Sequence, residues 1–215
     1  MLYRISTTAT TIITHNLKIA TEKIYGSLAV CGDGQDQAWL YFLKGNPGVI
    51  CLYDLKLKIP NQLSVSNVLD GSYLAACFDT TKGQNHILYQ SSKTPPIIVH
   101  AQGISGGDSD EIANTDTAAA NTPIAVCANP KQTQIQIYYK SNADSMVHRV
   151  SWNPAERHAY SDATEVGEAR MNQFSSIAAV AAPDGSGVHV FYVYQQDDST
   201  RALAHVVDNW HTPSN

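Results

Sequence analysis

The chain has 215 residues, of which 43% are hydrophobic and only 15% charged, with a formal net charge of −5. An acidic chain without a basic stripe is unsuited to nucleic acid, because phosphates are neutralised by Lys and Arg. No apolar run approaches the length of a membrane span, and residues 1–11 lack the apolar core of a secretion signal. We therefore expect a cytoplasmic protein without nucleic-acid or membrane partners.

Taken in chain order, one apolar strand pattern recurs roughly every 50 residues. Each copy is followed by a polar turn, a second β-rich run and a third strand. The predicted inner strands are 28–31, 74–77, 124–127 and 177–180. The second strands are 39–42, 87–90, 136–139 and 189–192, and the third strands are 52–55, 99–102, 147–150 and 204–207. Short strands with this period are typical of β-propeller blades.

The two ends of the chain bear on how such a ring closes. Weaker fourth strands are predicted near 62–69, 110–117 and 161–167. The last unit has no fourth strand, whereas strand-like segments at 2–6 and 17–24 precede the first unit. Pairing of 17–24 with the last unit would close the ring and avoid a long unpaired edge.

We therefore expect an all-β fold: a β-propeller of about four four-stranded blades, closed by an N-terminal strand. The single domain spans 1–215, with blade repeats near 26–70, 71–121, 122–173 and 174–215. The segment 2–6 is left over in this count. It either packs outside the ring or belongs to a fifth blade completed by another chain, which would make the protein a homo-oligomer.

Three of the four cysteines share one position on the predicted inner strands. Cys31, Cys77 and Cys127 are expected to be small buried side chains near a crowded axis. Their spacing matches no zinc-binding pattern. Without a secretion signal, disulfides are not expected either. The sequence therefore predicts no metal site.

The histidines and the one motif with a nucleophile also favour structural roles. His100, His148 and His205 align at one third-strand position, so a ring would spread them apart rather than bring them to one metal. Residues 103–107 fit the letters G-x-S-x-G, but no helix pattern follows, as a nucleophile elbow requires. No phosphate-binding loop or dinucleotide fingerprint occurs. We expect no cofactor.

The repeat resembles that of the fungal fucose-specific lectins. The shared features are an Ile-Ala-Ala-Val inner strand, a second strand ending in aliphatic-Tyr-aromatic, and Trp152 and Trp210 after third strands. The resemblance covers most of 26–210 and implies a propeller of four-stranded blades with sugar sites. The lectins bind sugar hydroxyls through an Arg on the second strand and a Glu on the third.

This chain departs from the lectins at those two positions. The Arg position aligns with Trp39, Ile87, Gln136 and His189, and the Glu position with Asp54, Ala101, Arg149 and Val206. No unit has both charged groups. A site that loses its donors leaves the remaining polar partners unpaired, so the ligand is expected to differ.

Two functions follow from this departure. Because the strand cores repeat while the ligand-facing positions vary, the first is a small-molecule-binding propeller with a single pocket. Such a pocket could also make the protein an enzyme, a cofactor-free cyclase such as a hetero-Diels–Alderase in natural-product biosynthesis. Holding a substrate in the reactive orientation by itself lowers the activation barrier of a cyclisation. The alternative is a carbohydrate-binding lectin of the fucose type. The expected ligand-binding residues are Trp39, Gln136, Arg149 and His189, with Trp152 or Trp210 as an aromatic wall.

Overall fold

The computed structural model describes most of the chain from residue 24 to residue 210. The described ranges are 24–45, 48–57, 59–80, 82–102, 108–129, 134–153, 158–159, 163–167, 169–172, 175–197 and 200–210. The N-terminal segments 2–6 and 17–23 and the motif at 103–107 lie outside them. The predicted closure of the ring by an N-terminal strand therefore stays a prediction.

Within these ranges the regular structure consists of sixteen strands in four antiparallel sheets. Blade 1 contains β1 (Ile24–Gly32), β2 (Ala38–Lys44), β3 (Val49–Asp54) and β4 (Ile59–Gln62). Blade 2 contains β5 (Ala75–Asp79), β6 (Gln84–Gln90), β7 (Ile98–Gln102) and β8 (Asp108–Glu111). Blade 3 contains β9 (Ile124–Ala128), β10 (Ile135–Lys140), β11 (Val147–Asn153), β12 (His158–Ala159) and β13 (Thr164–Val166). Blade 4 contains β14 (Ile177–Ala181), β15 (Gly187–Gln195) and β16 (Arg201–Asn209).

The all-β, four-bladed propeller predicted from the repeat is confirmed. The inner strands β1, β5, β9 and β14 lie side by side in chain order. The outer strands were predicted less well, because they are short and weakly apolar: β4 and β8 begin before the predicted segments, and β11 pairs with both β12 and β13. A membrane-crossing helix is not found in the described part of the chain.

Neighbouring blades along the chain share a core: blade 1 with blade 2, blade 2 with blade 3, and blade 3 with blade 4. Alternate side chains of a strand point to opposite faces, so a strand buried on both sides is apolar throughout. One cluster joins Ile50 of blade 1 to Leu74 at the start of blade 2. The second cluster joins blades 2 and 3, and the third joins blades 3 and 4.

The strand pairing defines equivalent positions in the four blades. Each inner strand has an alanine that pairs with a residue of the second strand. The pairs are Ala29 with Tyr41, Ala75 with Leu88, Ala125 with Tyr138, and Ala178 with Phe191. These second-strand residues pair in turn with Leu52, His100, Arg149 and His205. Arg149 is therefore the equivalent of His100 and His205.

This register corrects three sequence alignments. At the Glu position, the equivalents of Arg149 are Leu52, His100 and His205 rather than Asp54, Ala101 and Val206. Cys77 pairs with His86, so His86 and not Ile87 is the equivalent of Trp39, Gln136 and His189. His148 was also wrongly aligned with His100 and His205. A slip of one residue moves a side chain to the other face of the sheet, so His86 faces blade 3 and His148 does not face blade 4.

Candidate functional site

The junction between blades 3 and 4 brings together several polar side chains. Gln136 and Tyr138 point from β10 to the same face, two residues apart, and Arg149 is paired with Tyr138 on β11. Asp208, near the end of β16, meets them from blade 4. The site is thus assembled from three strands of two blades.

Direct hydrogen bonds connect this group. Arg149 Nη1 donates to Asp208 Oδ1 at 2.8 Å. Gln136 Nε2 donates to the carbonyl of Asn209 at 2.8 Å. The Tyr138 hydroxyl lies 2.6 Å from Gln136 Oε1 and 2.9 Å from Asp208 Oδ2. Since a phenol has one proton, Tyr138 donates to one of these acceptors at a time.

Burial strengthens the electrostatics of this group. The side chains of Arg149 and Asp208 are 11% and 12% exposed. Burial, followed by the neighbouring Asp208 carboxylate, raises the pKa of Tyr138 well above its usual range. The hydroxyl therefore stays protonated. Arg149 Nε is buried and meets no hydrogen-bond acceptor among the described residues, so the guanidinium has donor capacity that the fold does not use.

The structure separates the other predicted ligand residues. Trp39 lies between blades 1 and 2, 3% exposed and stacked on Phe78. Trp152 is 1% exposed in the core between blades 2 and 3. His189 lies on the outer face of blade 4, with Nδ1 2.9 Å from His205 Nε2. Of the predicted set, Gln136 and Arg149 come together, since both donate to the carbonyl of Asn209.

Trp210 is the predicted aromatic residue that belongs to this junction. It directly follows Asn209 and packs, half-buried, against the core shared by blades 3 and 4. Trp39 and Trp152 present no such exposed surface. The junction therefore combines a guanidinium, a carboxylate and an amide with one accessible indole.

The corresponding positions at the other two junctions carry different chemistry. Between blades 1 and 2, Asn85 Nδ2 donates to the Tyr41 hydroxyl at 2.7 Å. Between blades 2 and 3, His86 Nδ1 lies 2.8 Å from His100 Nε2. Burial lowers the pKa of His86. The Arg–carboxylate pair thus belongs to the junction of blades 3 and 4 within the described chain.

Sequence reasoning did not select Asp208, Asn209 or Tyr138 as site residues. Asp208 is 59 residues from Arg149 along the chain, so the pair is not visible as a local motif. The available signal was the position of Asp208 at the end of a third strand, just before the predicted Trp210.

A second polar cluster lies on blade 3. Asp144, His148 and Glu165 place one potential ligand atom each within 4.8 Å of the others. Burial opposes ionisation of Asp144, but hydrogen bonds from Met146 N and His148 outweigh it and lower the pKa of the carboxyl. Asp144 Oδ2 and His148 Nε2 lie 2.8 Å apart, so these two members of the cluster are joined by a hydrogen bond.

Comparison with known proteins shows similarity in fold rather than in sequence. No family model matches the chain, and the search of curated proteins gives no match. Among solved structures, AofleA from Arthrobotrys oligospora superposes with a TM-score of 0.63 at 13% identity, covering 85% of this chain and 53% of that chain. The fucose-specific lectin from Aleuria aurantia superposes at 0.60 and 14%, covering 86% and 64%.

TolB from Acinetobacter baumannii also matches, with a TM-score of 0.54 at 13% identity, covering 87% of this chain and 43% of that chain. This chain spans 53% of the AofleA chain and 64% of the Aleuria aurantia lectin chain, which is less than two thirds of either. The resemblance to the fungal fucose-specific lectins is confirmed at the level of fold.

Proposed function

We propose that this protein is a carbohydrate-binding module of the lectin type, with its sugar site at the junction of blades 3 and 4. The observation that carries the proposal is the buried pair of Arg149 and Asp208 beside the half-exposed Trp210. Binding sites combine a few fixed polar groups with apolar and aromatic surface. A sugar requires both, because its hydroxyls need donors and acceptors while its C–H face packs on an aromatic ring.

Each residue has a distinct role in this proposal. Arg149 donates to sugar hydroxyls through the part of its planar fork that Asp208 does not occupy. Gln136 and Tyr138 hold Asp208 and the end of β16 in place. Trp210 packs against the apolar face of the sugar.

The names of the structural neighbours support a sugar ligand. One structure of an Aleuria aurantia lectin mutant contains alpha-methyl-L-fucoside, and the structure of SapL1 lectin contains alpha methyl fucoside. Because no blade of this chain has the Arg and Glu of the lectin pattern, the preferred sugar is expected to differ from fucose. No observation of its own favours a cofactor-free cyclase, since the residues expected to form one pocket lie at several junctions.

A glycan array followed by calorimetric titration tests the proposal. We expect a glycan to bind, and we expect Arg149→Ala to weaken it about 10- to 100-fold, the worth of one hydrogen bond to a charged group, about 1.5–3 kcal/mol. Arg201→Ala is the matched control, because Arg201 is exposed at the opposite end of β16.

Fluorescence adds an independent readout. Trp39 and Trp152 are buried, so a change in emission on binding reports on Trp210. Trp210→Leu should weaken binding and remove the change. An array on which no glycan binds, or unchanged affinity in folded Arg149→Ala protein, would contradict the proposal.

A further inference from the structure

The outer face of blade 4 is uncovered and carries apolar side chains beside His189 and His205. Leu203, on β16, is 68% exposed. The strand pairing makes it the equivalent of Ile50, Ile98 and Val147 in blades 1 to 3, each of which is 0% exposed. Val180, on the same face of blade 4, is 55% exposed. In the other three blades this face is covered by the next blade.

The outer face of blade 1 is uncovered in the complementary way along its inner strand β1, whereas Phe42 on β2 of the same face is only 3% exposed. Leu28, on β1, is 61% exposed. Its equivalents at the start of blades 2, 3 and 4 are Leu74, Ile124 and Ile177, with exposures of 4%, 6% and 8%. Val30, on the same face, is 59% exposed. In the other three blades this face is covered by the preceding blade.

These two faces correspond to the two surfaces that pack together at each junction between neighbouring blades. At each internal junction, a β3-type residue of one blade and an inner-strand residue of the next share a core. The pairs are Ile50 with Leu74, Ile98 with Ile124, and Val147 with Ile177. Leu203 and Leu28 are the members left without a partner of this kind in the described chain.

We propose that the blade 4 face of one copy of this chain packs on the blade 1 face of a second copy, head to tail. Leu203 of one copy then meets Leu28 of the other, as a fourth pair of the same type. Each chain carries both complementary faces, so a second copy supplies the required surface. Exposed apolar patches of this kind mark interaction sites. A contact between two different faces is heterologous and extends to further copies unless the rotation closes a ring.

Light scattering during gel filtration of the full chain tests this proposal. We expect the mass to rise with protein concentration from the 23.4 kDa of one chain. Leu203→Glu and Leu28→Glu each destroy one of the two faces, so each variant alone should be monomeric. An equimolar mixture should form a two-chain species, because each variant retains the face that the other has lost.

The control is Leu57→Glu, which changes a residue that is 63% exposed but lies in the turn between β3 and β4 rather than on β1 or β16. It should associate like the parent chain, and far-UV circular dichroism should show all three variants folded. A parent chain that is monomeric at every concentration would overturn the proposal. Association of Leu28→Glu with itself, or a mixture that remains monomeric, would also overturn it.

Discussion

Arg149 illustrates how one side chain combines stability with a candidate role in binding. Its guanidinium is nearly buried and meets the carboxylate of Asp208 from another blade. Removing one partner of such a pair leaves the other charge without compensation. The neighbouring Gln136 and Tyr138 also bond to the end of β16, so the pair is part of a network.

A double-mutant cycle on Arg149→Ala and Asp208→Ala measures this pair. We expect a coupling energy of about 1–3 kcal/mol in urea unfolding, within the range for contacting residues in one network. The exposed ion pair of Lys56 and Asp36 is the control. Exposed pairs contribute little, so its cycle should show no measurable coupling. Independent effects of Arg149 and Asp208 would mean that the contact does not hold blades 3 and 4 together.

At the scale of elements, the hairpin of β15 and β16 positions the carboxylate. The two strands pair without interruption from Gly187 opposite Asn209 to Gln195 opposite Arg201. A Cβ at Gly187 would lie 2.6 Å from the carbonyl oxygen of Asp208. Glycine therefore permits the close approach that places Asp208 and Asn209 beside blade 3.

Gly187→Ala should displace the end of β16 and destabilise the chain by about 1–3 kcal/mol, the usual cost of overpacking. It should also weaken any ligand that depends on Arg149. Gly48→Ala is the control, because its Cβ would find its nearest neighbour at 3.6 Å, an ordinary contact. If the two variants had the same free energy of unfolding in urea, the backbone at Asp208 would have to move away from the added Cβ without loss of stability.

At the scale of the whole molecule, neighbouring blades meet at their inner strands. Cys31, Cys77 and Cys127 occupy one repeated position there, and all are free thiols. Burial raises the pKa of Cys31 to about 12 and that of Cys127 to about 11. The thiols therefore stay protonated and unreactive.

These thiols make stability depend on alkaline pH. An unfolded cysteine ionises near pH 9, whereas the folded thiols remain protonated up to about pH 11. Between these pH values the unfolded chain binds fewer protons than the folded chain. The contribution of the thiols to the free energy of unfolding is therefore greatest below pH 9 and decreases as the pH rises above 9. Urea unfolding across this range, compared with Cys31→Ala, should show a smaller fall in the variant. Rapid native-state labelling of Cys31 by a thiol reagent at pH 8 would contradict this account.

The sequence by itself determined the fold class. The inner strands starting at Leu28, Leu74, Ile124 and Ile177 are apolar, short and evenly spaced, and such segments bury their surface by stacking as blades. Their pattern depends on neighbouring residues in the chain, so it is visible without a structure. The candidate residues Gln136, Arg149 and Trp210 were found in the same way, from their places in the repeat.

Tertiary structure alone decided which residues meet. The register of the second and third strands depends on hairpin lengths, and a shift of one residue exchanged Ile87 for His86 and placed Arg149, rather than His148, opposite Tyr138. The partner of Arg149 lies 59 residues away in the next blade. Contacts of this kind arise when blades pack, and so does the difference between Leu203, which is 68% exposed, and its buried equivalents. Equivalent strand positions carry similar residues, but only packing determines which of their faces is covered.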